Sequence, residues 1–130
     1  MKKGSDFVYP DESDIMQLRK GFKLVSNGYL SRGSLLYILG TAQDLHNEAN
    51  ITESLASKAA YLLFEIAAAH PFIDGNKRTA FGTADIFLRL NGYRIKVDAV
   101  EGQELIVNIA IGKVDETVVR KWVRQRLKKL

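Results

Sequence analysis

From residue 70 to residue 78 the chain reads His-Pro-Phe-Ile-Asp-Gly-Asn-Lys-Arg. A base, a carboxylate, a tight-turn residue and two cations fall within this one stretch, between two apolar helical patterns. Pro71 disfavours α geometry at the residue before it, so a preceding helix ends at His70. A following helix opens with Asn76, Lys77 and Arg78 in its first turn. Such an end carries unpaired N–H groups and a partial positive charge, and it normally attracts acidic residues. Two adjacent cations oppose that preference by a few tenths to about 1 kcal/mol each. They become sensible once an anion fills the site. Gly75 then lets the backbone approach a ligand, and the free N–H groups grip phosphate oxygens. Arg78 adds a fork for bidentate contact, and Lys77 a point charge.

Asp74 directly precedes this nest. A carboxylate beside a phosphate is repulsive unless a cation lies between them, and Mg²⁺ suits that place. It takes oxygen ligands, often one or two protein carboxylates with phosphates and waters completing the shell. His70, at the negative end of a helix, is a candidate general base when neutral. With phosphates held a few residues on, the natural reaction is attack of a hydroxyl on a nucleotide phosphorus. His70 would take the proton, and Arg78 would stabilise the transferred group. Each residue also has a plainer use: His70 as a helix end, Asp74 as an N-cap, Lys77 and Arg78 as a solvated face. Each plain use is favoured singly, but all of them together within nine residues are not.

The elements that must position this loop read as helices. Residues 1–10 form an extended lead-in ending at Pro10. Acidic residues at 11–14 suit a helix N-terminus, and Ile15, Leu18, Phe22 and Val25 continue at helical spacing to Asn27-Gly28. A second helix covers about 33–46, with Leu35, Leu36, Leu39, Ala42 and either Leu45 or Ile38 on its apolar stripe. Thr52 is the expected N-cap of a third, over 52–69, apolar around most of its circumference and therefore central to an all-α fold. The fourth runs from Asn76 to Asn91-Gly92. Residues 93–97 alternate as a short strand or extended segment. Asp98 and Glu101 start a fifth helix, and Asp115 caps a sixth whose far side is basic, from Arg120 to Lys129. Trp122 reads as core, and His46 as a surface residue. Glu65 on the third helix reads as a paired core charge.

Bulk composition narrows the classes. The chain has 130 residues, 46% hydrophobic and 26% charged, an ordinary globular composition expected to form one domain. Lys and Arg outnumber Asp and Glu by 19 to 15, a net charge of +4, which does not single out nucleic acid as a partner. There are no cysteines, so thiol catalysis, disulfides and Cys-ligated zinc are excluded. Lys2 and Lys3 lead into Gly4-Ser5-Asp6 rather than an apolar run, and the most apolar segment, 62–69, is too short to span a bilayer. The expectation is a cytoplasmic protein without a membrane partner.

The stretch from His70 to Arg78 resembles the signature of the Fic/Doc family, H-P-F-x-[DE]-G-N-x-R. Thr79-Ala80 and Leu90-Asn91-Gly92-Tyr93 look like its Doc (death-on-curing) branch. The resemblance implies a compact all-α bundle around a buried central helix, with at most a short β segment. It implies a toxin that moves part of a nucleoside triphosphate, ATP or another, to a hydroxyl of a target protein. His70 matches the family's base, Asp74 its Mg²⁺ ligand, Gly75 and Asn76 its anion-hole residues, and Arg78 its phosphate-binding arginine. Lys77 matches Doc proteins, which phosphorylate a translation elongation factor. AMP-transferring members usually carry Gly there, although Doc proteins typically carry Ala where this chain has Gly75. Phosphoryl transfer ranks first, AMP transfer second, and a catalytically silent nucleotide- or partner-binding module third. The family's inhibitory motif, [ST]-x-x-x-E-[GN], is absent: Glu101 is the only Glu followed by Gly or Asn, and Val97 stands four residues before it. That implies inhibition by a separate antitoxin.

Overall fold

The computed structural model describes residues 7–130, so the start of the expected lead-in lies outside the described residues. The elements run α1 (Glu12–Arg19), α2 (Arg32–Asp44), α3 (Ile51–Ala69), α4 (Asn76–Leu90), β1 (Tyr93–Ile95), α5 (Ala99–Ala110), α6 (Glu116–Arg126) and β2 (Leu127–Lys129). Helices dominate, as the apolar spacing predicts. β1 and β2 pair antiparallel, with Arg94 opposite Lys128.

The central element is α3. Leu55, Ala56, Ala59, Ala60, Leu62, Leu63 and Ile66 are wholly buried. Burying each of the large ones is worth about 1.5–3 kcal/mol, and the alanines let neighbouring helices come close. Helices α2, α4, α5 and α6 all pack against α3. Lys58 is buried on it too. Its ammonium donates to Leu45 O at 2.7 Å, which satisfies a carbonyl at the end of α2.

Short polar residues start most helices. Asp11 and Asp14 form a reciprocal capping box on α1. Ser31, Asn50, Asp98 and Asp115 each accept a backbone N–H in the first turn of α2, α3, α5 and α6. Asn50, not Thr52, caps α3; Thr52 instead donates its hydroxyl to Asn50 at 2.9 Å. On α2 the buried stripe is Leu35, Ile38, Leu39 and Ala42, while Leu36 is exposed. At 100° per residue, 35-38-39-42 keeps one face and 36 leaves it.

Two segments depart from the sequence expectation. Helix α1 stops at Arg19 instead of continuing through Val25. From residue 21 to 28 exposure alternates residue by residue, the period of an extended chain. The backbone bonds of this segment go elsewhere. Gly28 O accepts from Ile73 N at 3.0 Å, and Pro71 O accepts from the N–H groups of Leu30 and Ser31 at 2.8 and 3.0 Å. Partners supplied by the distant loop outweigh the local helical pattern. At the other end, α6 stops at Arg126, and residues 127–129 pair with β1 because strand partners are available there. Trp122 is only partly buried and stacks under Arg126, whose Cζ lies 4.4 Å from its ring.

Where α1 crosses α4, Gly82 admits Leu18. A Cβ on Gly82 would stand 2.5 Å from Leu18 Cδ2. That close crossing delivers the end of α1 to the loop after α3.

Candidate active site

His70 ends α3 in left-handed geometry, φ 51° and ψ 59°. It is the one non-glycine residue with positive φ among the described residues, a conformation that costs an L-residue roughly 1–2 kcal/mol. Pro71 is the cause on one side, since it bars right-handed helix at His70. The imidazole hydrogen-bonds through Nδ1 to Ala68 O at 3.1 Å. A carbonyl only accepts, so Nδ1 carries the proton. In its neutral form the ring therefore has its lone pair on Nε2, and the exposed side chain lines a cleft of about 1170 Å³.

The loop below His70 is clamped from both flanks. Phe72 is fully buried. Asn76 Oδ1 accepts from Phe72 N at 2.9 Å, and its Nδ2 donates to Phe72 O at 2.8 Å. The Asn76 side chain is thus spent on holding the loop, and only its N–H is open to a ligand. Tyr29 stacks on Phe72 at 4.8 Å and bridges to it through the backbone. The Tyr29 phenol in turn donates to Glu12, which Arg32 grips through two nitrogens at 2.7 and 2.8 Å.

Asp74 is not a helix cap. Its Oδ2 accepts from Val25 N at 2.7 Å and its Oδ1 from Gly75 N at 2.8 Å. These backbone donors, Val25 first, hold its carboxyl below the usual carboxylate range, with Arg78 and Arg19 adding to the effect. An ionised carboxylate therefore faces the cleft.

Gly75 is the N-cap of α4, with φ 78°. A Cβ there would meet Leu24 Cδ2 at 2.7 Å and Arg19 Nη1 at 3.3 Å. Glycine is required by the turn and by this packing, in addition to any ligand. The N–H groups of Asn76, Lys77 and Arg78 find no acceptor among the described residues, as expected for a first helical turn. Lys77 is exposed and without an ion-pair partner among the described residues. Arg78 leans over Phe22 at 4.9 Å and donates to Lys23 O at 3.3 Å.

All six residues singled out in the sequence, His70, Asp74, Gly75, Asn76, Lys77 and Arg78, line the same cleft. The facing wall comes from Val97, Asp98 and helix α5, with Gly102, Gln103, Ile106 and Val107. Leu18, Phe22 and Phe81 form its apolar floor. The sequence reading missed Arg19, Phe22, Val25 and Thr79. Arg19 had a signal: it lies four residues from Ile15 on the apolar side of α1, an unusual place for a cation. Val25 had none, because it acts through its backbone.

A family model described as the Fic/DOC family matches residues 9–88, which include every residue of the motif and the segment that clamps it. The chain belongs to the Fic/DOC family. It is 35% identical to "Protein kinase doc" of Escherichia phage P1 over 88 residues, 68% of either chain. It is 48% identical to "Toxin Doc" of Mycolicibacterium smegmatis over 44 residues, 34% of either chain. Both relatives bear the Doc name, which places the chain on the Doc branch of Fic/DOC. Fic/DOC membership supports nucleotide-dependent catalysis in general.

Among the described residues no helix is long and apolar enough to cross a membrane. No group of three or more His, Cys, Asp and Glu residues among them is arranged to hold a metal ion.

Proposed function

We propose that this chain is a Doc-type toxin that moves the γ-phosphoryl group of ATP to a hydroxyl of a target protein. The observation that carries this reading is the convergence on one cleft of a base with its lone pair on Nε2 and a helix N-terminus with open N–H groups. The anionic phosphates would sit on the N–H groups of Asn76, Lys77 and Arg78, with the Lys77 and Arg78 side chains beside them. His70 Nε2 would take the proton as the target oxygen bonds to phosphorus, and the bond from the γ-phosphorus to the bridging oxygen breaks to release ADP. The αL geometry of His70 and its Nδ1 anchor hold the ring in place for that transfer.

Asp74 fits a divalent cation such as Mg²⁺. It is the one carboxylate of the motif, it is held ionised, and a lone carboxylate suits an ion whose other ligands are phosphate oxygens and waters. The ion would neutralise phosphate charge.

Two features favour phosphoryl over AMP transfer: Lys77 within the motif, and the similarity to a protein named as a kinase. Gly75 does not weigh against this, because Leu24 and Arg19 already require a glycine there. Two further parts of the reading rest on the family resemblance: a translation factor as target, and a separate antitoxin in place of the missing inhibitory motif.

Incubating the protein with α- and γ-labelled ATP and cell lysate, side by side, tests the reading. Label from the γ position alone on a protein band, lost in His70→Ala, is the expected result. Label from the α position would establish AMP transfer instead. No label from any nucleoside triphosphate would leave a binding module as the better account.

A further inference from the structure

Arg19 is a buried cation with no carboxylate in contact. Only 1% of it is exposed. Its Nη1 donates to Asp74 O at 3.0 Å and to Thr79 Oγ1 at 2.8 Å, and its Nε reaches Asn27 Oδ1 at 3.4 Å. Its Cζ lies 3.6 Å from the Phe72 ring centroid. Nη2 is buried and has no acceptor. Every polar partner is neutral. The nearby acid, Asp74, attracts Arg19 through space, but its carboxylate oxygens accept from the N–H groups of Val25 and Gly75 and not from Arg19.

Neutral acceptors in contact, with the Asp74 carboxylate acting on Arg19 only through space, do little to offset the desolvation of a full charge. The position of Arg19 supplies a reason for burying it. Nη1 packs against Gly75, 3.3 Å from where a Cβ would be. The N–H groups of Asn76, Lys77 and Arg78, which follow Gly75, find no acceptor among the described residues, and these residues line the cleft. Thr79 links Arg19 to the turn: its hydroxyl accepts from Arg19 and donates to Gly75 O at 2.7 Å. The guanidinium therefore fixes the turn and adds positive potential to the helix end that follows it.

We propose that Arg19 is a positioning residue of the phosphate-binding turn, and that a triphosphate bound at that turn adds to the balance of its buried charge. This rests on the phosphoryl-transfer reading. It adds a third cation, from outside the motif, to Lys77 and Arg78.

Calorimetric titration with inorganic tripolyphosphate and with Mg·ATP, together with γ-label transfer, tests it in three variants. Arg19→Gln keeps a donor and removes the charge; triphosphate affinity should fall at least tenfold. Arg19→Lys keeps the charge without the fork; affinity should stay within about threefold of wild type, while kcat falls. Thr79→Val keeps the charge and removes one tie; it should bind like Arg19→Lys. An Arg19→Gln protein that melts earlier yet binds tripolyphosphate like wild type would reduce Arg19 to a structural role and overturn the proposal.

Should Arg19→Gln fail to fold, the wild-type protein decides. The Arg19 Nε–H resonance should move on adding tripolyphosphate, alongside the amides of Asn76 and Lys77. Movement of those amides with Arg19 unchanged would overturn the proposal. A wild type that neither binds tripolyphosphate nor transfers label would instead defeat the functional reading itself, and this inference with it.

Discussion

The two walls of the cleft are built by different physics. The motif wall, from His70 to Arg78, is held by hydrogen bonds reaching across the chain. Asn76 clamps Phe72, Val25 N–H and Gly75 N–H hold Asp74, Arg19 and Thr79 hold the turn, and Gly28, Leu30 and Ser31 pair with residues 71 and 73. The facing wall on α5 is held by apolar burial of Leu105, Ile106 and Ile109 and by one ion pair, Glu101 with Arg126. No hydrogen bond among the described residues joins α5 to the loop. Directional bonds fix the atoms that must meet a phosphate or a proton, whereas apolar packing fixes only shape. The motif wall should therefore be intolerant of small chemical changes, and the α5 wall forgiving.

Asn76→Ala should break this contrast most strongly. It strands the backbone N–H and C=O of buried Phe72, at about 1–3 kcal/mol each if water does not enter. Denaturant unfolding should show the loss, and label transfer should fall together with it. Gly75→Ala should come next, destabilising by about 2 kcal/mol through the φ 78° turn and the Leu24 contact. Adding Leu24→Ala should recover the steric part and leave the conformational part. A fully additive double mutant would show that Leu24 is not what excludes a side chain there.

A smaller effect concerns pH. Arg32, and after it the Tyr29 phenol, lower the Glu12 carboxyl from 4.5 to about 2. A depressed folded-state pKa means stability that is present above pH 4.5 and lost as pH falls towards 2. Glu12→Gln should flatten this part of the acid unfolding limb. The Asp74 contribution, also depressed, should persist, so the limb should shrink rather than vanish. An unchanged limb would mean that the Glu12 contact with Arg32 and Tyr29 is not maintained in solution. The smallest effect is expected on the facing wall. Val107→Ser, at a half-exposed position of α5, should change stability by no more than about 0.5 kcal/mol. Label transfer should stay close to wild type. A tenfold loss there would show that α5 does more than shape the cleft.

Much of this was legible in the sequence, and the parts that were not share a cause. The helices, the central place of α3, the helix end at Pro71 and the helix start at Asn76 all follow from apolar spacing and local backbone chemistry. So does the grouping of His70, Asp74 and the nest, since a turn between two helix ends keeps neighbours in sequence close in space. The early stop of α1 and the strand at 127–129 were illegible because non-local backbone partners decided them. Asn76 was read as a ligand-binding residue, and its side chain also closes the loop, which leaves its N–H for a ligand. That closure depends on where Phe72 lies, which no spacing rule states.

The sequence by itself determined the family, the fold class and the set of groups at the cleft, because these rest on local order: which residues adjoin Pro71 and Gly75, and which faces are apolar. The tertiary structure alone decided how those groups are held. Residues 19–31 read as the tail of a helix and a loop, yet they carry the guanidinium against Gly75 and the N–H that grips Asp74. The bonds that place them span 49 to 60 positions of chain. They exist only after α1 has docked on α4, so no local pattern could encode them visibly.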